Sequence, residues 1–244
     1  MAFSPRIHIL VGIDIQNGFM SGGGLAISNG HEVMLFWNEI VVKFPAERVF
    51  FSRDSHPEGH LSFASSHGLT FAPPPLPEAT WALPDGTVNI QHVWPVHCVI
   101  GTRDQMIHES VIVPEGATII DKGLLKNVDS YSIAGDAHGN KFEKTDYEEK
   151  VRAVGATHAI FMGLALGFCV TASAIDTQKM GIQSYVVLDG CRAIDAHQNP
   201  ETLATQVKEL TDAGVIVVQS ISDLPAWMFP QVDAEDKSSS AALE

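Results

Sequence analysis

The chain has 244 residues, 45% hydrophobic and 18% charged, a composition that excludes a disordered or fibrous protein. Fifteen basic and twenty-nine acidic residues give a net charge of −14, so we expect no binding to nucleic acid or to an anionic membrane surface. An odd number of cysteines, three, does not make a disulfide framework and suits a reducing compartment. We therefore expect a cytoplasmic protein.

The ends of the chain and its longest uncharged stretch predict neither export nor a membrane span. The N-terminal residues MAFSPRIHILVG lack the long apolar region and the cleavage site of a signal peptide. The uncharged stretch Ala153–Ile175 is interrupted by glycines and is typical of a buried strand, a turn and a helix. We expect one domain over residues 1–236 and a disordered or tag-derived tail at residues 237–244.

Apolar runs of strand length recur along the chain, with one-sided helical patterns between several of them. In chain order they predict a strand at Ile7–Ile13, a helix at His31–Lys43, strands at Val49–Phe51, Ala117–Ile120 and His158–Met162, a helix at Val170–Met180, a strand at Ser184–Leu188, a helix at Glu201–Ala213 and a strand at Val215–Val218. The segment Ser65–Val93, with five prolines, is predicted to be a long ordered loop. Because the strands are mostly apolar, the pattern predicts a three-layer α/β/α fold with a mainly parallel central sheet.

Residues that follow the strands are the candidates for chemistry, because ligands of such sheets bind beyond the carboxyl ends of the strands. Asp14 follows the first predicted strand, in VGIDIQNGF, where its carboxylate could act as a general base. An equally open interpretation is a cap or turn that Asp14 forms with Asn17 and Gly18.

The segment RDSHPEGHLSF follows the second predicted strand and could hold a metal ion. Asp54 and His56 stand two residues apart, a spacing at which an extended backbone directs both side chains to one side. With His97 from WPVHCVIGT they offer mixed oxygen and nitrogen ligands that suit Zn²⁺ or Fe²⁺, and His60 and Cys98 are further candidates. The alternative is a solvated loop rich in turn-forming residues, with Cys98 as a small buried hydrophobic residue.

Two further side chains could take part in nucleophilic catalysis. Lys122, in DKG, could hold Asp14 ionised and stabilise a thiolate, unless it is an ordinary exposed lysine. Cys169 begins the predicted helix Val170–Met180, where the macrodipole lowers a thiol pKa and backbone N–H groups can stabilise an oxyanion. Cys169 is therefore the candidate nucleophile, with a buried structural cysteine as the alternative.

Five segments in chain order carry a family resemblance: DIQNGF, RDSHPEGHLSF, WPVHCVIGT, DKG followed by DSYS, and GLALGFCV. From Ile7 to about Asp195 the chain resembles the nicotinamidase/pyrazinamidase group of the isochorismatase-like cysteine hydrolases. The resemblance implies the isochorismatase-like hydrolase fold and one divalent metal ion, with zinc favoured over iron or manganese. It implies a catalytic triad of Asp14, Lys122 and Cys169. It also implies a set of metal ligands, which are Asp54, His56 and His97.

The resemblance also implies details of the pocket, and it leaves the role of His60 open between ligand and neighbour of the ligands. The amides of Ala165 and Cys169 are implied to form an oxyanion hole, and the peptide between Leu164 and Ala165 is implied to be cis. The implied walls around a pyridine ring are Phe19, Trp94 and Tyr131. The chain departs from the group where relatives often have Asp in place of Gly18 and Thr-Asp in place of Leu166 and Gly167. These departures remove side chains that brace the active-site loops but no catalytic group.

The function implied by the resemblance is a nicotinamidase of NAD salvage, which converts nicotinamide to nicotinate and ammonia through a thioester on Cys169 and also accepts pyrazinamide. The partner is thus a small molecule, and the oligomeric state stays open. An alternative is another amidohydrolase of the superfamily, acting on a carbamoyl or ureido compound. A non-catalytic metal-binding protein and a metallohydrolase that uses only metal-bound water are further alternatives.

Overall fold

The computed structural model describes residues 6–71, 75–194 and 200–229, so the predicted tail at 237–244 lies outside the described residues. The strands of the described ranges are β1 (His8–Ile13), β2 (Val49–Asp54), β3 (Glu78–Ala82), β4 (Val88–His92), β5 (Thr118–Lys122), β6 (His158–Leu164), β7 (Gln183–Arg192) and β8 (Ile216–Val218). The α-helices there are α1 (Val33–Val41), α2 (Tyr147–Ala153), α3 (Cys169–Lys179) and α4 (Pro200–Asp212). Six strands form one sheet in the order β5-β2-β1-β6-β7-β8, and every pair in it is parallel.

The sheet is buried on both faces, as its apolar strands predict. All six residues of β1 are buried, and alternate side chains enter two different cores. Leu10 packs into the core that contains Trp37 of α1, whereas Ile9 packs into the core that contains Val151 of α2 and Val170 of α3. Helix α1 therefore covers one face and α2, α3 and α4 cover the other, which confirms the three-layer fold.

The main error of the sequence analysis concerns the segment Ser65–Val93. Instead of a loop without regular structure, it contains the antiparallel hairpin formed by β3 and β4. In β3 the alternate residues Ala79 and Trp81 are buried and their neighbours are exposed. This alternation is short and stands among prolines, so it gives a weak strand signal. Helix α2 was also missed, because only Tyr147 and Val151 of its seven residues are buried.

The helices are short. The longest in the described ranges, α4, has 13 residues, and none there is both long and apolar enough to cross a membrane.

The carboxyl edge of the sheet gathers the polar residues on which the sequence analysis focused. Asp14 directly follows β1, Asp54 ends β2 and Lys122 ends β5. Asp54 and Lys122 are direct neighbours in the register of β2 and β5. Cys169, the first residue of α3, follows β6 after a four-residue turn. Parallel strands thus bring residues that are far apart in the sequence to one edge.

Candidate active site

Lys122 lies at the centre of this edge with a fully buried side chain. Its Nζ is 3.0 Å from Asp14 Oδ2 and 3.0 Å from Asp54 Oδ1. It also donates to the Ser130 carbonyl at 3.1 Å and to Cys169 Sγ at 3.5 Å. Burial by itself lowers the pKa of Lys122, but attraction to Asp14 and Asp54 outweighs burial and raises that pKa well above its ordinary value. Lys122 is therefore an ammonium ion shared by two carboxylates.

Asp14 is held by a serine on the neighbouring strand. The Ser52 hydroxyl donates to Asp14 Oδ1 at 2.6 Å, and the Asp14 N–H donates to Ser52 Oγ at 3.1 Å. Asp14 has the left-handed φ of +49°, which turns the chain at the end of β1. Burial raises the pKa of Asp14, while Lys122 and the Ser52 hydroxyl act in the opposite direction. The carboxyl group is thus oriented and suited to accept a proton.

Cys169 is 7% exposed and opens into the pocket. Burial raises the pKa of its thiol well above the ordinary value, and Asp14 and Asp54 raise it further, whereas Lys122 lowers it. Burial and two carboxylates thus oppose the lowering of the thiol pKa that a helix N-terminus favours. A thiol in these surroundings needs a nearby base to become a nucleophile.

Two backbone amides beside the sulfur are free to act as donors. The loop and turn hydrogen bonds among the described residues use neither the Ala165 amide nor the Cys169 amide as a donor. The peptide between Leu164 and Ala165 is cis, as the resemblance implies. The two unpaired amides are therefore candidate donors for an oxyanion.

The three predicted metal ligands converge on one point. Asp54 Oδ2 is 3.1 Å from His56 Nε2 and 3.2 Å from His97 Nε2, and all three residues are buried. The other ring nitrogen of His56 faces the Gly123 carbonyl at 3.1 Å, and that of His97 faces the Pro95 carbonyl at 2.8 Å. Each Nδ1 is therefore positioned to donate to a carbonyl group, and each Nε2 is directed at Asp54, where a proton or a metal ion can be shared with the carboxylate.

This donor set fits a divalent metal ion. Burial by itself lowers the pKa of His56, but the Asp54 carboxylate outweighs burial and raises that pKa to about 9. A positive charge is thus favoured between the imidazole and the carboxylate, either as a proton or as a metal ion. One oxygen and two imidazole nitrogens suit zinc, iron and manganese alike.

His60 lies behind the metal ligands. Its ring stacks on His56 with centroids 4.2 Å apart. Its Nε2 donates to the Leu125 carbonyl at 2.9 Å, and its Nδ1 accepts from the Ser62 backbone N–H at 3.1 Å. Because both ring nitrogens have partners, this arrangement favours the interpretation of His60 as a neighbour that packs against a ligand.

Cys98 is fully buried, with its Sγ on the Asp104 carbonyl at 3.5 Å. Burial raises the pKa of this thiol well above its ordinary value. The arrangement is that of a small core residue.

A pocket opens above the cysteine and the metal ligands, and the three predicted walls line it together with residues that the sequence analysis missed. The predicted walls are Phe19, Trp94 and Tyr131, and the additional residues are Leu25, Asp129, Phe168 and Ile194. Phe168 sets its edge against Trp94, with ring centroids 4.8 Å apart. Its position beside Cys169 in the sequence was a signal that could have identified it. Asp129, which begins DSYS, was a similar signal.

The hairpin supplies the polar support of this pocket. Gln91 of β4 donates to Asp129 Oδ2 at 2.5 Å and to the Tyr131 hydroxyl at 3.2 Å. The Trp94 indole N–H lies 3.3 Å from the same hydroxyl. Gln91 could not be identified from the sequence, because the hairpin itself was interpreted as a loop.

The departures from the family pattern have local explanations. A Cβ at Gly18 would lie 2.6 Å from Cys98 Sγ, so this sulfur fills the space beside the glycine. A Cβ at Gly167, whose φ is +92°, would lie 2.3 Å from Nε2 of Gln206 on α4. Side chains from other parts of the chain thus occupy the space beside both glycines.

A family model for the isochorismatase domain matches residues 8–221. The chain therefore belongs to the isochorismatase family, whose fold the parallel sheet and its covering helices display. Within the family it belongs to the nicotinamidase/pyrazinamidase group, as the following similarities show.

Three known proteins illustrate the similarity. The nicotinamidase of Acinetobacter baylyi is 35% identical over 214 residues, which cover 85% of this chain and 94% of the relative. The structure of the yeast nicotinamidase bound to the inhibitor nicotinaldehyde has a TM-score of 0.78 and 28% identity, covering 88% of this chain and 100% of that one. The structure of the Pyrococcus horikoshii pyrazinamidase in complex with zinc has a TM-score of 0.67 and 28% identity, covering 87% of this chain and 98% of that one.

Proposed function

We propose that this chain is a nicotinamidase, an amidohydrolase that converts nicotinamide and water to nicotinate and ammonia in NAD salvage. The observation that carries the proposal is the contact of Lys122 Nζ with Asp14, Asp54 and Cys169, which joins a nucleophile, a base and a metal-ligand cluster around one cation. The names of the similar proteins support the same reaction, and the A. baylyi relative matches along almost its whole length. Pyrazinamide, with a closely related ring and amide, is proposed as a second substrate.

The first step forms a bond between Cys169 Sγ and the amide carbon. Asp14, whose carboxylate raises the pKa of the thiol and is oriented by Ser52, takes the thiol proton. Lys122 stabilises the negative charge that is distributed over the carboxylate and the sulfur. Because burial raises the pKa of the thiol, this proton transfer accompanies the attack.

Attack converts the amide carbonyl to a tetrahedral oxyanion, which the Ala165 and Cys169 N–H groups stabilise. Asp14 then returns the proton to the amide nitrogen, the C–N bond breaks, and ammonia leaves. The product on the enzyme is a thioester of Cys169. A water molecule that loses a proton to Asp14 attacks the thioester, and nicotinate and the free thiol result.

The proposed metal site consists of Asp54, His56 and His97, with zinc as the first candidate because this donor set suits it and the P. horikoshii structure contains it. A divalent ion at this site would supply a Lewis-acid position for the pyridine nitrogen and so fix the ring relative to Cys169. Phe19, Trp94 and Tyr131 hold the ring from its sides. The ligands and the nucleophile line the same pocket, as this orientation requires.

The reaction is tested by ammonia release from nicotinamide and pyrazinamide, with metal analysis of the same sample. We expect release from both compounds and about one equivalent of metal. The variant Cys169→Ala should retain the metal and lose turnover, whereas substantial residual turnover would contradict the nucleophile assignment and favour a metal-bound water. Cys98→Ala, which changes another buried thiol, is the matched control and should remain active.

The same samples separate the alternative amidohydrolase. Release of ammonia from a carbamoyl or ureido compound, with none from nicotinamide, would contradict the proposed substrate.

We also propose a cytoplasmic location, which is supported by the three free thiols and by the use of one of them as a nucleophile.

A further inference from the structure

A buried carboxylate outside the proposed triad and metal ligands is linked by hydrogen bonds, through one intervening residue each, to a member of the triad and to a metal ligand. Glu143, in the loop before α2, is 8% exposed, and no ion pair joins it to a cation in the described part of the chain. Its charge is instead satisfied by hydrogen bonds. Oε2 accepts from the Gly123 N–H at 2.9 Å and from the Ser130 hydroxyl, and Oε1 accepts from the Leu124 N–H at 2.7 Å.

Two of these donors belong to residues whose carbonyl groups hold catalytic side chains. The Gly123 carbonyl accepts from His56 Nδ1 at 3.1 Å, and the Ser130 carbonyl accepts from Lys122 Nζ at 3.1 Å. One arm therefore runs from Glu143 through Gly123 to a proposed metal ligand. The other arm runs from Glu143 through Ser130 to the ammonium that contacts the nucleophile.

The turn that follows β5 packs closely against the metal ligands. Gly123 has the left-handed φ of +72°, and a Cβ there would lie 2.7 Å from the His56 ring, so the backbone approaches the imidazole closely. The turn connects the end of β5 to the loop that contains Ser130. Backbone hydrogen bonds support its middle, such as the Leu61 N–H on the Lys126 carbonyl at 2.8 Å, and the Glu143 carboxylate bonds both the Gly123 side and the Ser130 side.

We propose that Glu143 is a positioning residue that fixes both His56 and Lys122, and thereby couples the geometry of the metal site to that of the nucleophile. The role in catalysis rests on the proposed function, whereas the positions of His56 and Lys122 can be measured without any substrate. Glutamine cannot replace Glu143, because its amide nitrogen would face a backbone N–H group with a donor instead of an acceptor.

The matched control is Asp136→Asn. Asp136 is also a buried carboxylate of the same loop and accepts three backbone N–H groups, those of His138, Phe142 and Glu143. It does not bond Gly123 or Ser130. Damage to the loop in general should therefore affect both variants, whereas loss of the two arms should affect only Glu143→Gln.

The first readout is the affinity of metal-free protein for Zn²⁺, measured by competition with a chromophoric chelator. For Glu143→Gln we expect affinity to fall by roughly 10- to 100-fold, the usual effect of removing support from a metal-bound imidazole. Asp136→Asn should keep nearly the parental affinity. Parental affinity in Glu143→Gln, or an equal loss in Asp136→Asn, would overturn the proposal.

The second readout is the rate at which iodoacetamide alkylates Cys169 in metal-free protein at fixed pH, followed by mass spectrometry. Glu143→Gln should react more slowly, because a displaced Lys122 stabilises the thiolate less. Ser130→Ala removes only the hydroxyl of the second arm, so it should slow alkylation and lower Zn²⁺ affinity less than Glu143→Gln does, and it serves if Glu143→Gln fails to fold. An unchanged rate in the folded variants would refute the second arm. Neither measurement depends on nicotinamide, so a failed substrate assignment would be seen separately.

Discussion

Substitution of Ser52 by alanine should separate the orientation of Asp14 from its chemistry. The hydroxyl donates to Asp14 Oδ1 at 2.6 Å and accepts from the Asp14 N–H at 3.1 Å, so alanine removes two buried hydrogen bonds. A hydrogen bond to a charged group contributes about 1.5–3 kcal/mol, and a buried N–H left without a partner costs about 1–3 kcal/mol. The two effects overlap, and we expect the free energy of unfolding to fall by about 3 kcal/mol.

Activity should fall as well. Without the Ser52 hydroxyl, which lowers the pKa of Asp14, that pKa rises further, so a smaller fraction of the carboxyl group is ionised and able to accept the thiol proton. The carboxylate also loses the contact that orients it. Since a positioned base contributes at least about 10²-fold to a rate, we expect kcat/KM to fall by about tenfold or more.

The assays are urea denaturation for stability and ammonia release for kcat/KM. Ser184→Ala is the matched control, because Ser184 is also fully buried on a strand, and its hydroxyl contacts the Ile182 carbonyl at 3.3 Å, outside the site. It should lose some stability and keep its kcat/KM. If Ser52→Ala also kept the parental kcat/KM, the hydrogen bonds to Asp14 would have no role in proton transfer.

Three further predictions test other parts of the molecule. Burial, a neighbouring histidine and two arginines lower the pKa of His8 from 6.5 to about 4, so the unfolded chain binds more protons between these values and stability falls as pH drops from 6.5 to 4. His8→Phe should flatten this part of the urea-midpoint profile, and a parental slope would contradict the prediction. Gly167→Ala should lower the free energy of unfolding more than Gly181→Ala does. Both glycines have positive φ (92° and 83°), but only at Gly167 would a Cβ meet Gln206. Equal losses of the free energy of unfolding would refute that contact. Phe168→Ala should raise KM for nicotinamide while metal content stays constant, and an unchanged KM would remove Phe168 from the pocket wall.

The positions of the main site residues could be predicted because each lies at the end of a strand. Asp14, Asp54 and Lys122 each follow or end a strand that contains an apolar run, and parallel strands place their carboxyl ends together. Cys169 could be predicted because it begins a helix soon after a strand. Local patterns made these residues candidates, the family resemblance implied their roles, and the experiments proposed above test those roles.

The supporting residues could not be predicted in this way. Ser52 follows three apolar residues of β2 and has no local pattern that distinguishes it from any other strand serine. Glu143 lies among the polar and turn-forming residues of GNKFEKT, where one more acid indicates only solvent exposure. Gln91 depends on a hairpin whose alternation is only five residues long. Each of them acquires its partner through tertiary contacts between segments that are far apart in the sequence.

The charges of the site explain why a cysteine in this position needs its neighbours. Three carboxylates, Asp14, Asp54 and Asp129, surround the pocket and its base, and one ammonium, Lys122, offsets them. Buried groups with an excess of negative charge raise the pKa of the thiol, as the structure shows for Cys169. A divalent cation beside Asp54 would offset this excess of negative charge, so the metal-ligand cluster matters for the nucleophile as well as for orienting the substrate. The shared contacts of Lys122 are the physical reason why the triad and the metal ligands form one site.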